Sequence, residues 1–375
     1  MPGFRPDIDP TGLQEFSVVF TDRSLNHMSI KFQGVMRDIS RVLREVYAAD
    51  AVALIPGGGT YAMEAVARQF TNGKHALIIR NGWFSFRWTQ IFDAGGFAAK
   101  STVIMARQNA NEIRSPYAPP PIAEVIKKIH EEKPDVVFAP HVETSSGIIL
   151  PDHYLKALAT AAHEVGALMV LDCIASGAIW VNMKVTGVDV LISAPQKGWS
   201  ASPSAGLVMM SERAAAKLAE TNSTSFAVDL KKWRSIMAAY EGGSFAYHAT
   251  LPTDALVGLR DAMIETQELG FEKLKEAQWQ LGTAVRALMA AKGVQSVAAE
   301  GFGAPGVVVC YTDDPDIQNG KKFLAEGMQI AAGVPLQVNE GPEFKTFRLG
   351  LFGLDKLMDI EGTVERLRTV IEKVM

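Results

Sequence analysis

Short apolar segments alternate with helical patterns through the first two thirds of this 375-residue chain, and this alternation restricts the fold more than any other sequence feature. The segments are too short for helices and carry no polar face, which is typical of parallel strands covered by helices on both sides. Strand–helix alternation predicts right-handed crossovers and a mainly parallel sheet. The predicted strands are 51–55, 76–79, 136–139, 168–171, 190–192 and 206–209, with helical periods at 122–129 and 155–162 among those between them.

The pattern changes after about residue 211. A long helical stretch, 254–292, is followed by a smaller α+β unit with predicted strands at 306–311 and 346–349. The last helix carries Ile360, Val364, Leu367 and Ile371 on one face. We therefore expect an N-terminal segment (1–20), a large α/β domain (21–252), and a linker helix with a small C-terminal domain (253–375).

Charge and composition favour a soluble cytoplasmic protein. The net charge is −4, from 37 basic and 41 acidic residues, so nothing favours nucleic acid or an anionic membrane as a partner. We see neither a signal peptide nor a run of about 18 apolar residues that could span a bilayer. Cys173 and Cys310 both lie within apolar runs. Buried free thiols are favoured over a disulfide, which suits a reducing compartment.

A glycine-rich turn, Pro56-Gly57-Gly58-Gly59-Thr60, stands between the first predicted strand and a helix predicted at 61–69. Glycines let the backbone approach a ligand closely, and a helix N-terminus offers free N–H donors, so a phosphate would fit here. An ordinary strand-to-helix turn explains the motif equally well. It lacks the Lys-Ser/Thr of a Walker A loop and does not match GxGxxG.

Two further polar residues follow neighbouring strands. Asp172 ends the segment 168–171, and Lys197 follows 190–192; taken singly, the first is more often a helix cap and the second a surface lysine. Pyridoxal 5'-phosphate (PLP), however, needs a lysine to bind its aldehyde, an acid facing its pyridine nitrogen and a cradle for its phosphate. The turn at Gly58-Gly59-Thr60, Asp172 and Lys197 supply these three groups from strand ends of one sheet.

Several segments, in order along nearly the whole chain, resemble the class V aminotransferases, nearest to the alanine–glyoxylate and serine–pyruvate group. This resemblance implies the PLP-dependent transferase fold type I, with a mainly parallel seven-stranded sheet and a small C-terminal α+β domain. The segments are PGGGTYAMEA (56–65), NGWFSFR (81–87), HVETSSG (141–147), LDCIAS (171–176), SAPQK (193–197), YHAT (247–250) and FRLG (347–350).

The resemblance also implies roles for individual residues. Catalysis falls to Lys197 and Asp172, and Arg348 binds the substrate carboxylate. The implied homodimer has shared active sites, in which Tyr247 and Thr250 reach the phosphate of the neighbouring subunit. His141 is interpreted as structural. The other residues implied to hold the cofactor are Gly58, Gly59, Thr60, Phe84 (with Trp83 as a rival), Ser145, Ile174 and Gln196.

The expected reaction is transamination between alanine or serine and a 2-oxo acid such as glyoxylate or pyruvate. The N-terminal segment (1–20) is expected to lie over the active site, but residues 16–23 depart from the family pattern there. Arg23 is a candidate for a second carboxylate, as an aspartate donor would require, although a surface position is favoured. A cysteine desulfurase or related lyase of the same fold is a rival, but neither Cys173 nor Cys310 suits a nucleophile on a mobile loop. A non-catalytic PLP-binding protein is the alternative from another class.

Overall fold

A seven-stranded sheet forms the centre of the protein. The computed structural model describes residues 7–10, 12–110 and 112–375. The strands of this sheet are fully buried or nearly so, apart from the more exposed strand Lys100–Met105 at one edge of the sheet. They are β1 (Ala51–Pro56), β2 (His75–Arg80), β3 (Lys100–Met105), β4 (Val136–Pro140), β5 (Leu168–Asp172), β6 (Val190–Ser193) and β7 (Ala205–Met210), and their spatial order is β1-β7-β6-β5-β4-β2-β3.

One strand runs against the others. β7 pairs antiparallel with both β1 and β6, whereas the remaining pairs are parallel. The carboxyl ends of the other six strands therefore meet at one edge of the sheet, where open α/β sheets bind their ligands. The mainly parallel seven-stranded sheet is confirmed.

Helices cover both faces of this sheet, as the doubly apolar strands require. Side-chain caps begin several of them: Ser29 accepts from the Phe32 N–H, and Asp229 from the Lys232 N–H. The helices are α1 (Ile30–Tyr47), α2 (Gly59–Phe70), α3 (Trp83–Gly95), α4 (Ile122–Glu132), α5 (Asp152–Glu164), α6 (Met183–Thr186), α7 (Glu212–Glu220), α8 (Leu230–Glu241), α9 (Thr253–Leu269), α10 (Phe271–Ala291), α11 (Pro315–Gln318), α12 (Lys321–Ala325), α13 (Leu354–Leu357) and α14 (Ile360–Val374).

The C-terminal part forms a second, three-stranded sheet. Its strands are β8 (Val307–Tyr311), β9 (Ala331–Ala332) and β10 (Thr346–Gly350), in the order β8-β10-β9 with antiparallel pairing. The helical stretch that leads to it is two helices rather than one, because Gly270 takes a φ of 96° between α9 and α10. A second buried cluster, which includes Ile148, Val309 and Leu336, lies between this sheet and the large one.

Other expectations have mixed outcomes. Strand β3 was missed because its sequence begins with exposed polar residues. Cys173 and Cys310 are both buried free thiols, as predicted. Within the described ranges, none of the helices combines the length and the apolar character needed to cross a bilayer.

Candidate active site

A cavity of about 410 Å³ opens at the carboxyl edge of the large sheet. Its floor consists of residues that follow β1, β2, β4, β5 and β6, and residues of the small sheet close it from the other side. The lining residues are Gly59, Thr60, Met63, Phe84, Arg87, Val142, Thr144, Asp172, Ile174, Ala175, Gln196, Lys197, Val307, Ala331, Arg348, Gly350 and Phe352.

Asp172 is a buried acid that forms no ion pair with the described residues. It ends β5, opposite Pro140 of β4 and Ile192 of β6, and only 7% of its surface is exposed. Among the described residues, the Ile174 N–H alone donates to its carboxylate, at 2.9 Å, and no cation lies within ion-pair distance. Burial raises the pKa of Asp172 to about 7, although that hydrogen bond and the charge of Arg87 lower it. Such a carboxylate is suited to a cationic group on a ligand.

Lys197 lies on the short connection between β6 and β7 and lines the cavity. Burial lowers the pKa of its ammonium group, and the nearby positive charge of Arg348 lowers it further. Its Nζ lies 5.3 Å from the ring centroid of Phe352. A Cβ at the next residue, Gly198, would overlap the backbone of Gly177, so the close packing of these two turns requires glycine at 198. The burial of Lys197 removes its amine partly from water, and this desolvation increases the reactivity of an amine.

The N-terminus of α2 forms one wall of the cavity. Gly59 and Thr60 begin this helix, and a Cβ on Gly59 would overlap the side chain of Ile174, which lies across the turn. Gly206 of β7 allows the helix to approach, because a Cβ there would clash with Ala62. The Thr60 hydroxyl accepts a hydrogen bond from Arg87 Nη1 at 3.0 Å. The turn is thus a cradle with free backbone donors and a nearby cation.

Phe84 is fixed by an acid that the sequence analysis overlooked. Glu143, which is fully buried, accepts hydrogen bonds from the backbone N–H groups of Phe84 and Ser85 at the start of α3, at 3.1 and 2.9 Å. The hydroxyls of Ser85 and Ser145 also donate to it, at 2.7 and 2.6 Å. Because Gly82 has no side chain, Glu143 fits against the helix start. The carboxylate caps the helix and holds the aromatic ring in the cavity wall.

Ser145 lies next to the cavity, where its hydroxyl is hydrogen-bonded to protein groups. Its hydroxyl donates to Glu143 and accepts from the Trp83 N–H at 2.9 Å, and it is not among the residues that line the cavity. The neighbouring Thr144 lines the cavity instead. Both hydroxyl residues stand in the same short turn, and the role of Ser145 beside the cofactor stays a prediction. Of the rivals Phe84 and Trp83, Phe84 lines the cavity.

Arg348 brings a second cation from the small sheet. It lies in β10, and its Nε donates to the Ala332 carbonyl at 2.8 Å. Its guanidinium carbon lies 5.8 Å from the ring centroid of Phe84. Burial lowers the pKa of this guanidinium, and the negative charge of Glu143 opposes that effect. The group is oriented toward the cavity and has donors left for a carboxylate.

Ile174 and Gln196 line the cavity as expected. Four other candidate residues do not line it: Gly58, Tyr247, Thr250 and Arg23. Gly58 caps α2 and is not part of the cavity wall. Tyr247 and Thr250 are exposed and contact each other, their oxygens 3.2 Å apart. The described part of the N-terminal segment lines a separate cavity, and residues 1–6 and 11 lie outside the described chain. Arg23 is exposed, and its Nε lies 3.8 Å from Oδ2 of Asp22.

His141 has the structural place that was predicted for it. It is buried, its Nδ1 lies 2.7 Å from the Ser176 hydroxyl, and burial lowers the pKa of the imidazole to about 3.

The residues present fit PLP. The buried carboxylate of Asp172 needs a cationic partner, which a protonated pyridine nitrogen would supply. The Gly59 cradle leaves room at a helix N-terminus for a phosphate, and Lys197 can reach the same cavity. Phe84 and Ile174 line the cavity as the two apolar groups expected to enclose a flat ring.

The chain is similar to several known proteins along most of its length. "Soluble hydrogenase, small subunit" of a Synechococcus species is 26% identical over 93% of this chain and 88% of its own. Alanine–glyoxylate aminotransferase of Callithrix jacchus is 26% identical over 93% of this chain and 82% of its own. The crystal structure of a subgroup IV aspartate aminotransferase from Thermus thermophilus superposes with a TM-score of 0.77 at 24% identity, covering 94% of both chains.

Fold and site together define a PLP-dependent enzyme of fold type I. More specifically, the chain belongs to the class-V aminotransferase family, whose sequence pattern matches residues 14–336.

Proposed function

We propose that this aminotransferase moves an amino group between a small amino acid, alanine or serine, and a small 2-oxo acid, glyoxylate or pyruvate. The observation that carries the proposal is the meeting of Lys197, Asp172 and Arg348 in one cavity of about 410 Å³. The similar proteins are named for different activities, so the proposal rests on these residues first. The alanine–glyoxylate relative supports the choice of substrates.

The wall around Arg348 favours a donor with one carboxylate. Ala331 pairs with Arg348 in the small sheet, and the apolar Val307 and Phe352 line the same cavity. Arg23, the candidate for a second carboxylate, is exposed and does not line this cavity. An aspartate donor therefore has no support from Arg23.

Bound PLP supplies an electron-withdrawing ring that takes up the electron pair left when a proton leaves the substrate α-carbon. Asp172 holds the proton on the ring nitrogen. Arg348 binds the α-carboxylate with two parallel hydrogen bonds and so orients the bond to be broken. Lys197 then removes the α-proton as general base, and its lowered pKa leaves more of the neutral amine for this step. Phe84 and Ile174 are the two apolar side chains that would enclose the flat cofactor ring and fix its orientation.

The rival reactions have less support from the same residues. Cys173 is buried behind Asp172, where burial raises the pKa of its thiol well above the ordinary value. Cys310 is buried in β8, and burial raises the pKa of its thiol to about 12. Neither thiol can reach a substrate as a nucleophile, so a desulfurase is disfavoured. A pure binding protein would not need both a partly desolvated Lys197 and an oriented Arg348.

A panel of amino donors tests the proposal. We expect alanine or serine to convert the cofactor absorbance of the purified holoenzyme to that of the amine form, and glyoxylate or pyruvate to reverse it. Lys197→Ala should lose both conversions and at least about 1000-fold in turnover. The control Lys184→Ala changes a surface lysine paired with Asp50 and should behave as wild type. An unchanged spectrum with every amino acid would mean a binding protein, and sulfide release from cysteine a desulfurase.

The proposed assembly is a homodimer with shared active sites, in which Tyr247 and Thr250 reach the neighbouring cavity. Support comes from their exposure in the single subunit, where they contribute nothing to the subunit's own cavity. The cytoplasmic location stays a prediction from the sequence.

A further inference from the structure

Arg87 is a cation in the cavity that the proposed reaction leaves without a role. It lies in α3, one turn after Phe84, and its side chain lines the cavity. Nη1 donates to the Thr60 hydroxyl at 3.0 Å, and the guanidinium carbon lies 5.2 Å from the ring centroid of Phe84. It forms no ion pair with any carboxylate in the part of the chain that the structure describes. A half-buried arginine in that position is suited to an anion that the protein itself does not provide.

The groups near the phosphate cradle are otherwise uncharged. A phosphate monoester carries a charge of about −1.5 to −2 at neutral pH. Gly59 offers only its backbone N–H, and Thr60 and Gln196 offer neutral side chains, as do the two residues expected from a partner subunit. The two other cations of the described cavity wall have separate tasks. Lys197 binds the cofactor aldehyde, and Arg348 is anchored to the small sheet through the Ala332 carbonyl.

We propose that Arg87 binds the phosphate of the cofactor, together with Thr60 and the N-terminus of α2. The hydrogen bond to Thr60 places the guanidinium at the start of that helix, where a phosphate meets the free N–H groups. Residues three apart lie on the same face of a helix, so α3 presents Phe84 to the ring and Arg87 to the phosphate. The negative charge is then neutralised from within the subunit. This inference rests on the assignment of the cavity as the PLP site.

Affinities for PLP and for pyridoxal, which lacks the phosphate, test the inference. Both are titrated into the cofactor-free full-length protein and followed by absorbance. Arg87→Gln should weaken PLP binding by roughly 10- to 100-fold, the range for a lost charged hydrogen bond, and leave pyridoxal binding within about twofold. Arg87→Lys keeps the charge without the fork of donors and should fall in between. Inorganic phosphate should compete with PLP for wild type and far less for Arg87→Gln.

The matched control is Arg366→Gln, which changes an exposed arginine on α14 that pairs with Asp359 and should affect neither ligand. Equal losses for PLP and pyridoxal would assign Arg87 a structural role and overturn the inference. So would unchanged PLP affinity with a raised KM for the amino donor, which would assign Arg87 to the substrate. If Arg87→Gln does not fold, the PLP-to-pyridoxal ratio of Arg87→Lys decides. The PLP and pyridoxal affinities do not depend on turnover, so a failure of the proposed transamination is seen separately.

Discussion

At the scale of single residues, the cavity buries the carboxyl group of Asp172, and burial disfavours the ionised form of this group. Asp172 has no cationic partner in the described chain, and burial raises its pKa to about 7 from an unfolded value of about 3.9. Between these two pH values the unfolded chain releases the proton while the folded protein keeps it. The contribution of this group to the free energy of unfolding therefore falls as pH rises from about 4 to about 7, and the penalty stays constant above that range.

Replacing this acid should accordingly stabilise the cofactor-free protein. We expect Asp172→Asn to be more stable than wild type by roughly 2–4 kcal/mol at pH 7.5, with the difference shrinking toward pH 4. Urea unfolding of both cofactor-free proteins across this pH range measures it. Bound PLP should reverse the order, because a pyridinium pairs with the carboxylate and not with the amide. A difference that does not depend on pH would contradict the raised pKa.

Arg348 allows a second prediction at this scale. Arg348→Ala removes a charged, two-pronged contact to the substrate carboxylate, so kcat/KM for amino donors should fall by about 10- to 150-fold, mainly through KM. Steady-state kinetics with alanine measures this, and the cofactor absorbance of the variant should stay that of wild type. An unchanged KM would remove Arg348 from substrate binding.

At the scale of elements, the sequence predicted buried strands better than it predicted their directions. Six of the seven large-sheet strands follow from apolar runs, because a strand covered on both faces cannot be polar. The antiparallel direction of β7 has no such signature, since its residues are as apolar as those of its neighbours. β3 was missed for the opposite reason: an edge strand tolerates exposed polar residues, and its sequence begins with Lys100 and Ser101.

The residues of the site also divide into those that the sequence predicted and those that it did not. Asp172 and Lys197 could be predicted because both follow predicted strands and, together with the Gly58-Gly59-Thr60 turn, match the three groups that PLP needs; Arg348 could be predicted because of the family resemblance. Glu143, Arg87 and Phe352 were missed, since their roles depend on which helix starts and turns come together in three dimensions. One signal for Glu143 was available: an acid inside an otherwise apolar and hydroxyl-rich turn requires several donors if it is buried.

Glu143 is the prediction that belongs to helix α3. Glu143→Gln replaces one accepting oxygen by an NH₂ group, which leaves backbone donors at the helix start without a partner. We expect a loss of about 2–4 kcal/mol in the free energy of unfolding and weaker PLP binding. Chemical denaturation measures the first effect. Glu124→Gln, which changes an exposed acid paired with Arg107, serves as the control and should lie within about 0.5 kcal/mol of wild type. Equal losses of unfolding free energy in the two variants would mean that Glu143 does not stabilise the start of α3.

At the scale of the whole molecule, the predicted dimer makes each site depend on two chains. One variant, Lys197→Ala, lacks the lysine. A second variant, with Tyr247→Ala and Thr250→Ala together, lacks the predicted contacts to the partner's cofactor. In a mixed dimer of these two, one cavity carries both defects and the other carries neither. We expect activity to reappear on mixing, up to half that of wild type per dimer. Activity assays after refolding the two variants together measure it, and no recovery would mean that the sites are not shared.

The way β7 follows β6 also restricts movement during turnover. Because β7 runs antiparallel to its neighbour, the chain returns to the sheet within residues 194–204, without a crossover helix. Lys197 is thus held on a short bridge whose two ends are fixed in adjacent strands. A lysine held in this way can move its amine only by rotation about the bonds of its four-carbon side chain.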